Sequence, residues 1–410
     1  MHKDTNIIVG LEIGTSKICA AVAEVDGNGA ITIIGFGQAS SEGVRKGEIV
    51  DYDKAANVVR IALTQAEQVG NVEIQSIYLG VSGSHIRAFT SHGFHPILTA
   101  DRQITEQDVS EVLRNAKTVN LPEGNTVIHA IRQNFTVDGN REVRNPVGMV
   151  GRRLEVDVLV VYGMETRLQN PLRLVKDKLY LEVEHIVFNG IASLLATLDV
   201  EQKEIGTLVI DLGAGTTDYA VVVDGLIKHC GVLAVGGDHI TNDISCGFRI
   251  PLGRAEDLKI KHGSAIISDS VKGKYISLAN EFGLNSKSIS LENLHLIMSV
   301  RLQEIFEIIY NDLQEEGILG ELGGGIVICG GGSHIPGITD LCERVFQLPT
   351  KIGTPKGFGG ANSTISKPEL ATVLGLIKFG SYQNRPVKRM SLKELFSRAF
   401  GFNGLLQGRA

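Results

Sequence analysis

The spacing of apolar residues along the chain predicts strands and helices in alternation. Short apolar runs bounded by turn residues predict two hairpins, within 8–27 and 208–225, and strands at 31–38, 74–81, 126–137, 153–161 and 183–188. Apolar residues three and four apart predict helices at 53–69, 105–119, 170–178, 187–199, 240–246, 254–260, 291–316 and 371–380. Asp53 and Thr105 are the predicted N-caps of the first two helices. This alternation indicates a protein of the α/β class.

The segment 208–225, called hairpin 2, ends its first strand on an acid and then turns on glycines. Its sequence, LVIDLGAGTTDYAVVVDG, predicts a buried strand that ends on Asp211. Backbone N–H groups of a glycine-rich turn form a concavity for anions, and a carboxylate can hold a hydrated divalent cation against phosphate oxygens. A single copy of this pattern also fits an ordinary β-hairpin. The candidate ligands are Gly213, Gly215, Thr216 and Thr217 for phosphate and Asp211 for a metal ion.

A second copy of the pattern lies near the N-terminus. The segment 8–27, called hairpin 1, reads IVGLEIGTSKICAAVAEVDG. With Glu12 placed against Asp211, the hydroxyl residues align only if the turn of hairpin 2 is two residues longer. Two such hairpins in different halves of the chain predict an internal duplication, in which two lobes grip one nucleotide from opposite sides. Hairpin 1 contributes the candidates Gly14, Thr15, Ser16 and Lys17 for phosphate and Glu12 for metal.

The two hairpins resemble the phosphate motifs of the actin, heat-shock chaperone and sugar-kinase superfamily. Gly236 and Gly237 precede a predicted helix, where free N–H groups favour an anion. Glu256 and Lys259 share one face of the next helix; an exposed ion pair is the ordinary interpretation, whereas the superfamily presents an acid and a lysine there to the ribose and base. The loop Gly330, Gly331 and Gly332 resembles the adenosine motif. The helix at 187–199 resembles the first connecting helix of the superfamily and is expected to serve packing alone.

Composition excludes several classes of protein. The 410 residues, 43% hydrophobic and 21% charged, describe a folded protein with two or more domains. A net charge of −6 argues against general nucleic-acid binding. The five cysteines contain no C-x-x-C pair, so we expect neither a disulfide framework nor a structural zinc site, and a reducing cytosol fits best. We expect no signal peptide, and the sequence has no run of about 18 apolar residues that could span a bilayer.

From residue 82 to about 163 the pattern changes to that of a small α+β unit. Within it, NPVGMVGRRLE, starting at Asn145, resembles a signature of the FtsA family of bacterial division proteins, which carries its extra subdomain at this place in the chain. The resemblance covers nearly the whole chain. It implies an actin-like ATPase fold of two duplicated lobes, an inserted small α+β subdomain and a C-terminal amphipathic helix. The implied order is lobe 1 core (1–83 and 165–204), inserted subdomain (84–164), lobe 2 core (205–236 and 325–380), lobe 2 small subdomain (237–324), linker (381–390) and tail (391–410).

The tail has the pattern of a helix that lies on a membrane surface. Its apolar positions fall on one stripe, while basic residues occupy the other side and the preceding linker. The alternative is a terminal helix docked on its own domain, but the core domain is expected to be complete at residue 380. The predicted membrane-binding residues are Leu392, Leu395, Phe396, Ala399 and Phe400.

The family resemblance also implies a function. It describes a protein that binds ATP with Mg²⁺, self-associates into filaments on the cytoplasmic face of the inner membrane at the division site, tethers the tubulin-like FtsZ ring and recruits later division proteins. The FtsZ C-terminal peptide is expected near Arg301 and Glu304, on a helix that otherwise serves core packing. Actin usually has Asp where Glu12 stands, so weak ATP hydrolysis at most is expected, without an assigned catalytic residue. The alternatives are a sugar or carboxylate kinase of the same superfamily and a pilus-assembly actin homologue.

Overall fold

The computed structural model describes residues 6–278, 287–360 and 365–383. Its strands are β1 (Asn6–Ile13), β2 (Lys17–Val25), β3 (Ile31–Ser40), β4 (Val44–Arg45), β5 (Glu48–Ile49), β6 (Ser76–Val81), β7 (Arg87–Pro96), β8 (Asn125–Val137), β9 (Asn140–Val143), β10 (Arg153–Met164), β11 (Glu182–Phe188), β12 (Thr207–Leu212), β13 (Thr217–Val223), β14 (Leu226–Leu233), β15 (Tyr275–Leu278), β16 (Lys287–Ser290), β17 (Ile326–Cys329), β18 (Thr350–Ile352) and β19 (Phe358–Gly359). Its helices are α1 (Tyr52–Gly70), α2 (Glu106–Lys117), α3 (Glu165–Arg173), α4 (Asn189–Thr197), α5 (Val200–Glu204), α6 (Gly237–Phe248), α7 (Leu252–His262), α8 (Leu291–Glu315), α9 (Ile338–Phe346) and α10 (Ala371–Gln383).

Two sheets with the same strand order form the two lobes. The sheet of lobe 1 runs β11-β6-β1-β2-β3-β19, and that of lobe 2 runs β14-β13-β12-β17-β18. In each lobe, three consecutive antiparallel strands form a meander, and two parallel strands then extend the sheet beside its first strand. The predicted duplication and the actin-like α/β fold are therefore confirmed.

The connecting helices α4 and α10 pack between the two sheets. A Cβ atom on Gly375 would lie 1.8 Å from the Ala192 carbonyl oxygen, so the two helix backbones touch where only glycine fits. On the lobe 1 side, Gly10 of β1 lies close to α10, because its Cβ position is 2.7 Å from the Val373 carbonyl oxygen. Side chains of both helices and both sheets share one buried apolar core, which fixes the lobes against each other.

The inserted subdomain is a four-stranded antiparallel sheet, β7-β10-β8-β9, with α2 packed on one face. It follows β6 and returns to lobe 1 through α3. The subdomain also contacts lobe 2, because Gln133 Nε2 on β8 donates to the Ile227 carbonyl oxygen on β14 at 2.9 Å. The insert thus contacts both lobes.

The helix ends confirm one predicted cap and correct another. Thr105 caps α2 and forms a capping box with Asp108, as predicted. Asp53 is not the N-cap of α1; Asp51 is, and its Oδ1 accepts from the Lys54 N–H at 3.2 Å. At the other end of the chain, α10 continues to Gln383, past the predicted start of the linker at 381. None of the helices in the described ranges is long and apolar enough to cross a membrane.

Candidate functional site

The turns of the two hairpins are built alike. The Gly14 N–H donates to the Lys17 carbonyl oxygen at 3.1 Å, and the Gly213 N–H donates to the Thr216 carbonyl oxygen at 3.0 Å. Strand pairing places Glu12 opposite Cys19 and Asp211 opposite Asp218, so both turns have the same length. The prediction of a turn two residues longer in hairpin 2 is wrong, because matching the hydroxyl residues shifted the register by two.

The two turns meet at the boundary between the lobes. A Cβ atom on Gly215 would lie 2.4 Å from Thr15 Oγ1, so the turn of hairpin 2 rests directly on that of hairpin 1. A third element, the tip of the β4–β5 hairpin, fits beside them: the Gly47 N–H donates to Thr15 Oγ1 at 3.0 Å, and Lys46 Cα lies 2.8 Å from the same Gly215 position. The sequence analysis did not identify this tip, whose one sequence signal is Gly47, where φ is +75°.

Glu12 is a buried acid with one oxygen unused. It ends β1 with 9% of its surface exposed, and its Oε2 has no hydrogen-bond partner in the described part of the chain. The Lys17 ammonium lies 4.0 Å from Oε1. Burial raises the pKa of Glu12 to about 6, against the opposing effect of Lys17, and the charge of Asp211 adds to the rise. Glu12 is therefore only partly charged near pH 6, and its Oε2 is a buried acceptor that a cation could use.

Asp211 is held by the connecting helices. Thr372 Oγ1 on α10 donates to Asp211 Oδ2 at 2.7 Å, and the Ser193 hydroxyl on α4 donates to the same oxygen. The expectation that the first connecting helix serves packing alone is therefore wrong. The predicted adenosine loop also approaches this acid, since a Cβ on Gly330, whose φ is +81°, would lie 2.3 Å from Asp211 Oδ1. These hydroxyl donors fix the orientation of the carboxylate.

The loop at Gly236 and Gly237 is docked on hairpin 2, and its amides are occupied. The Gly237 N–H donates to the Gly213 carbonyl oxygen at 2.9 Å, and the Gly236 N–H donates to His239 Nδ1 at 3.2 Å. The expectation of free N–H donors at this helix start is wrong in this structure. Thr217 supports the same loop, since its buried hydroxyl donates to the Val235 carbonyl oxygen at 2.7 Å and is not available to a ligand. Both elements brace the turn of hairpin 2.

Glu256 and Lys259 lie together on α7 and face the glycine loop. Lys259 Nζ is 2.7 Å from Glu256 Oε2 and donates to the Gly237 carbonyl oxygen at 3.0 Å. Only 12% of the Lys259 side chain is exposed, which sets this pair apart from an ordinary surface ion pair. In the other loop, Gly331 is exposed and nothing lies within 4 Å of its Cβ position, so its backbone is open to an approaching ring.

Asp218 is a buried acid of the cleft that the sequence analysis left without a role. Ser82, at the end of β6 in lobe 1, donates to Asp218 Oδ1 at 2.6 Å, and Thr216 Oγ1 donates to Oδ2 at 3.0 Å. Burial raises the pKa of Asp218 to about 8 despite these hydrogen bonds. Asp218 is thus largely protonated at neutral pH and joins the two lobes as a neutral acid. No local sequence signal connects Ser82 to it, because the contact spans the two lobes.

The donor set fits a hydrated magnesium ion. Mg²⁺ is usually held by one or two carboxylates together with substrate phosphates. Glu12 and Asp211 approach the lobe boundary from opposite sides, and the orphaned Glu12 Oε2 is a buried oxygen that a hydrated cation would satisfy. Within the described ranges no group of three His, Cys, Asp or Glu side chains is arranged to hold a metal on its own. A cation held by Glu12 and Asp211 would draw its remaining oxygens from water and from a ligand.

Arg301 on α8 is not a free surface charge. Its Nε lies 2.6 Å from Asp243 Oδ2 on α6, and it also pairs with Glu304. Arg301 is the less exposed of the pair, since 27% of its side chain is exposed against 52% for Glu304. The predicted membrane residues of the tail, 392–400, lie outside the described residues, as does most of the linker.

Comparisons with known proteins identify the relatives of this chain. It matches the family model of the cell division protein FtsA over residues 208–375 and that of the SHS2 domain inserted in FtsA over residues 83–162. It is 35% identical to the cell division protein FtsA of Neisseria meningitidis, over 92% of this chain and 91% of that protein. It is 32% identical to that of Escherichia coli K12, over 92% and 91% of the two chains.

Solved structures agree on the fold. The chain is similar to the PilM-PilN type IV pilus biogenesis complex, with a TM-score of 0.64 and 16% identity over 91% of this chain and 98% of that one. It is also similar to MreB5 of Spiroplasma citri bound to ADP, with a TM-score of 0.55 and 17% identity over 91% and 96%. Identities this low support the fold alone, and the sequence relatives favour neither the kinase nor the pilus alternative. By its sequence relatives, the chain belongs to the FtsA family of cell division proteins.

Proposed function

We propose that this actin-like cell division protein binds ATP with Mg²⁺ between its lobes, self-associates into filaments and tethers the FtsZ ring to the cytoplasmic face of the membrane. The observation that supports this most is the contact between Gly215 and Thr15, because it brings two acid-bearing glycine turns from separate lobes to one place. One turn alone would be an ordinary hairpin. Two turns facing each other can enclose a triphosphate, with donors from both sides.

The proposed nucleotide contacts divide between the lobes. The turns at 14–17 and 213–216 surround the phosphates, with Lys17 as the cation of hairpin 1. Burial by itself lowers the pKa of Lys17, but the charges of Glu12, Asp211 and Glu369 outweigh burial and raise it, so Lys17 stays charged. Lys259, Glu256 and the loops at 236–237 and 330–332 receive the nucleoside. Bound Mg²⁺ neutralises phosphate charge, and Glu12 and Asp211 would hold its water shell.

We propose that turnover is slow. Apart from Glu12 and Asp211, the buried acid of the cleft is Asp218, which is largely protonated at neutral pH and engaged by Ser82 and Thr216. A protonated acid in such contacts is a poor base for a water molecule. The site therefore suits binding better than hydrolysis.

Calorimetry with the full chain tests nucleotide binding. Titration of ATP in the presence of Mg²⁺ should show one site per chain, and affinity should fall when the metal is chelated. GTP serves as the control for base selection. Absence of any adenine nucleotide binding would remove the basis of the proposal.

The proposed FtsZ contact lies on the exposed side of α8. Leu296, Val300 and Ile308 are 47%, 59% and 40% exposed and fall four and eight residues apart, in line with Glu304. A peptide with apolar anchors would match this stripe, and an acidic group on the peptide would be attracted by the Arg301 guanidinium beside it. Charge reversal, Arg301→Glu, should weaken binding of the FtsZ C-terminal peptide, whereas Lys261→Glu on α7 should not. Equal affinity of the Arg301 variant and the wild type would contradict this location.

The tail is proposed to attach the protein to lipid. Burying two leucines and two phenylalanines yields on the order of 6–12 kcal/mol, and ordering the helix at about 1–2 kcal/mol per residue offsets most of that. One tail is therefore weak, and filaments with many tails bind firmly through avidity. Co-sedimentation of FtsZ polymers with liposomes should require residues 391–410, and equal sedimentation of a chain lacking them would overturn the proposal. Later division proteins would then be recruited to these filaments.

A further inference from the structure

A lysine stands at the tip of the β4–β5 hairpin, directly against the turn of hairpin 2. The tip is a two-residue turn, Lys46 and Gly47, in which φ is +51° and +75°. Positive φ at both central residues is the type I′ conformation, which suits asparagine or glycine at the first position far better than lysine. The Lys46 backbone N and Cα lie 2.9 Å and 2.8 Å from the Cβ position of Gly215. An unfavourable backbone conformation at a cleft is typical of residues with a functional role.

The tip is held in place by contacts with both lobes and with α3. The Gly47 N–H donates to Thr15 Oγ1 at 3.0 Å, which ties the hairpin to the turn of hairpin 1. At the next residue, Glu48 Oε1 accepts from the Arg167 guanidinium on α3 at 2.6 Å. Together with the close approach to hairpin 2, these contacts set the backbone position of Lys46 at the boundary between the lobes.

The charge of Lys46 acts on the start of α6 in lobe 2. Burial lowers the pKa of His239, in the first turn of α6, and the charge of Lys46 is the next cause of that lowering. Lys46 is exposed, and no carboxylate in residues 6–278, 287–360 or 365–383 forms an ion pair with it. An unpaired cation of lobe 1 therefore lies beside two lobe 2 elements of the proposed nucleotide site, the turn of hairpin 2 and the glycine loop at 236–237.

The two hairpin turns alone supply little positive charge for a triphosphate. Lys17 is the one cation in the turns at 14–17 and 213–216, and its ammonium lies 4.0 Å from Glu12 Oε1. Asp211 adds a second acid to the same cleft. A further ammonium group would offset phosphate charge that Lys17 shares with these acids, through charge-assisted hydrogen bonds.

We propose that Lys46 is a phosphate-binding residue of the nucleotide site, supplied by a third element besides the two hairpins. Its ammonium group binds the phosphates of the nucleotide from the β4–β5 tip, as a mobile point charge on a fixed backbone. This inference rests on the proposed nucleotide binding and adds a ligand to it. The alternative is a surface lysine that contributes nothing to binding.

Calorimetry of the full chain with ATP or ADP and Mg²⁺, and competition of AMP against ADP, test this assignment. Lys46→Asn removes the ammonium group but suits the left-handed backbone, so the variant should be at least as stable as the wild type in urea unfolding. Its affinity for ATP should fall roughly tenfold, and AMP should be the least affected because it has one phosphate. Lys46→Arg keeps the charge and should retain most of the affinity. Arg45→Gln, which removes an exposed cation one residue earlier, is the matched control and should bind as the wild type does.

The possible failures differ from one another. If the wild type binds ATP and Lys46→Asn binds it equally well, the role of Lys46 is wrong and the nucleotide site stands. Equal losses for ATP and AMP would assign the effect to a disturbed turn rather than to a phosphate contact, and an equal loss in Arg45→Gln would assign it to the overall charge of the hairpin; either result overturns the inference. A wild type that binds no adenine nucleotide would contradict the proposed function itself and leave Lys46 no phosphate to bind.

Discussion

Hairpin 1 and hairpin 2 have the same backbone and different surroundings. In each turn, a glycine N–H donates to the carbonyl oxygen three residues further along the chain, at 3.1 Å in hairpin 1 and 3.0 Å in hairpin 2. The acid of hairpin 2, Asp211, accepts hydroxyl groups from both connecting helices. The acid of hairpin 1, Glu12, has Lys17 at 4.0 Å and one buried oxygen with no partner among the described residues. Duplication has preserved the turn, while the groups around it have diverged.

This difference assigns the two acids different tasks. Asp211 is held in place by the protein itself, because Ser193 and Thr372 link it to the helices that join the lobes. Glu12 carries an unfavourable charge that a ligand can relieve. A fixed acid, Asp211, and an unsatisfied acid, Glu12, thus face one cleft. Metal affinity should therefore depend more on Asp211, and protein stability more on Glu12.

Removing the charge of the fixed acid should have the largest effect. Asp211→Asn keeps an oxygen to accept from Ser193 and Thr372 but cannot neutralise a cation. We expect affinity for ATP with Mg²⁺ to fall roughly 100-fold, about 2.7 kcal/mol, measured by calorimetry. Asp224→Asn, at the exposed far end of the same hairpin, is the matched control. A loss of less than about threefold would show that Asp211 is not the principal metal ligand.

Removing the charge of Glu12 should separate stability from binding. Glu12→Gln deletes a buried charge, so the ligand-free protein should gain about 1–2 kcal/mol of unfolding free energy at pH 7.5, while affinity for ATP with Mg²⁺ falls roughly tenfold. Since the pKa of Glu12 is raised on folding, the cost of ionisation grows between about 4.5 and 6 and is absent below that range. The two proteins should therefore be equally stable near pH 4, measured by urea unfolding. A less stable Glu12→Gln variant at pH 7.5 would contradict the assignment, and Glu24→Gln is the control.

Acid should weaken metal binding through the same group. With the pKa of Glu12 at about 6, Glu12 is ionised in roughly a quarter of the molecules at pH 5.5 and in nearly all of them at pH 7.5. Affinity for ATP with Mg²⁺ should drop about fourfold between these pH values, beyond the titration of ATP itself. Glu12→Gln should lose this extra dependence. A wild type and a variant with identical pH profiles would remove Glu12 from the metal site.

Loss of the helix hydroxyls should have the smallest effect. Thr372→Val and Ser193→Ala each remove one donor to Asp211 Oδ2, so the carboxylate is less well held. We expect each change to reduce ATP affinity about threefold, whereas Thr372→Ser, which keeps the hydroxyl, should behave as wild type. If the serine variant loses as much affinity as the valine variant, the methyl packing of Thr372 matters more than its hydrogen bond.

Local patterns in the sequence were sufficient to predict the hairpins and the duplication. An acid at the end of an apolar run, followed by glycine, predicted both turns, because the strand, the turn and the acid are close in sequence. The length of the second turn was predicted wrongly, since register depends on the pairing of Asp211 with Asp218 rather than on matching threonines. The N-cap of α1 was predicted at Asp53, two residues after the actual cap Asp51, because acids stand at both positions near the start of the helix.

Contacts between segments far apart in the sequence could not be predicted. Ser193, Thr372 and Ser82 reach acids 18, 161 and 136 residues away, and no local spacing marks them. The tip of the β4–β5 hairpin, at Lys46 and Gly47, is only two residues long, and its place beside the turns follows from the packing of the lobes. The sequence predicted the two turns that form the cleft, whereas the hydrogen bonds that support them could be identified only in the tertiary structure.

An experimental structure of the full chain with a non-hydrolysable ATP analogue and Mg²⁺ tests the paired-turn site most directly. The phosphates should lie between the turns at 14–17 and 213–216, with the metal on the side of Glu12 and Asp211. A nucleotide bound elsewhere, or one held by hairpin 2 with hairpin 1 remote from its phosphates, would contradict the paired-turn site.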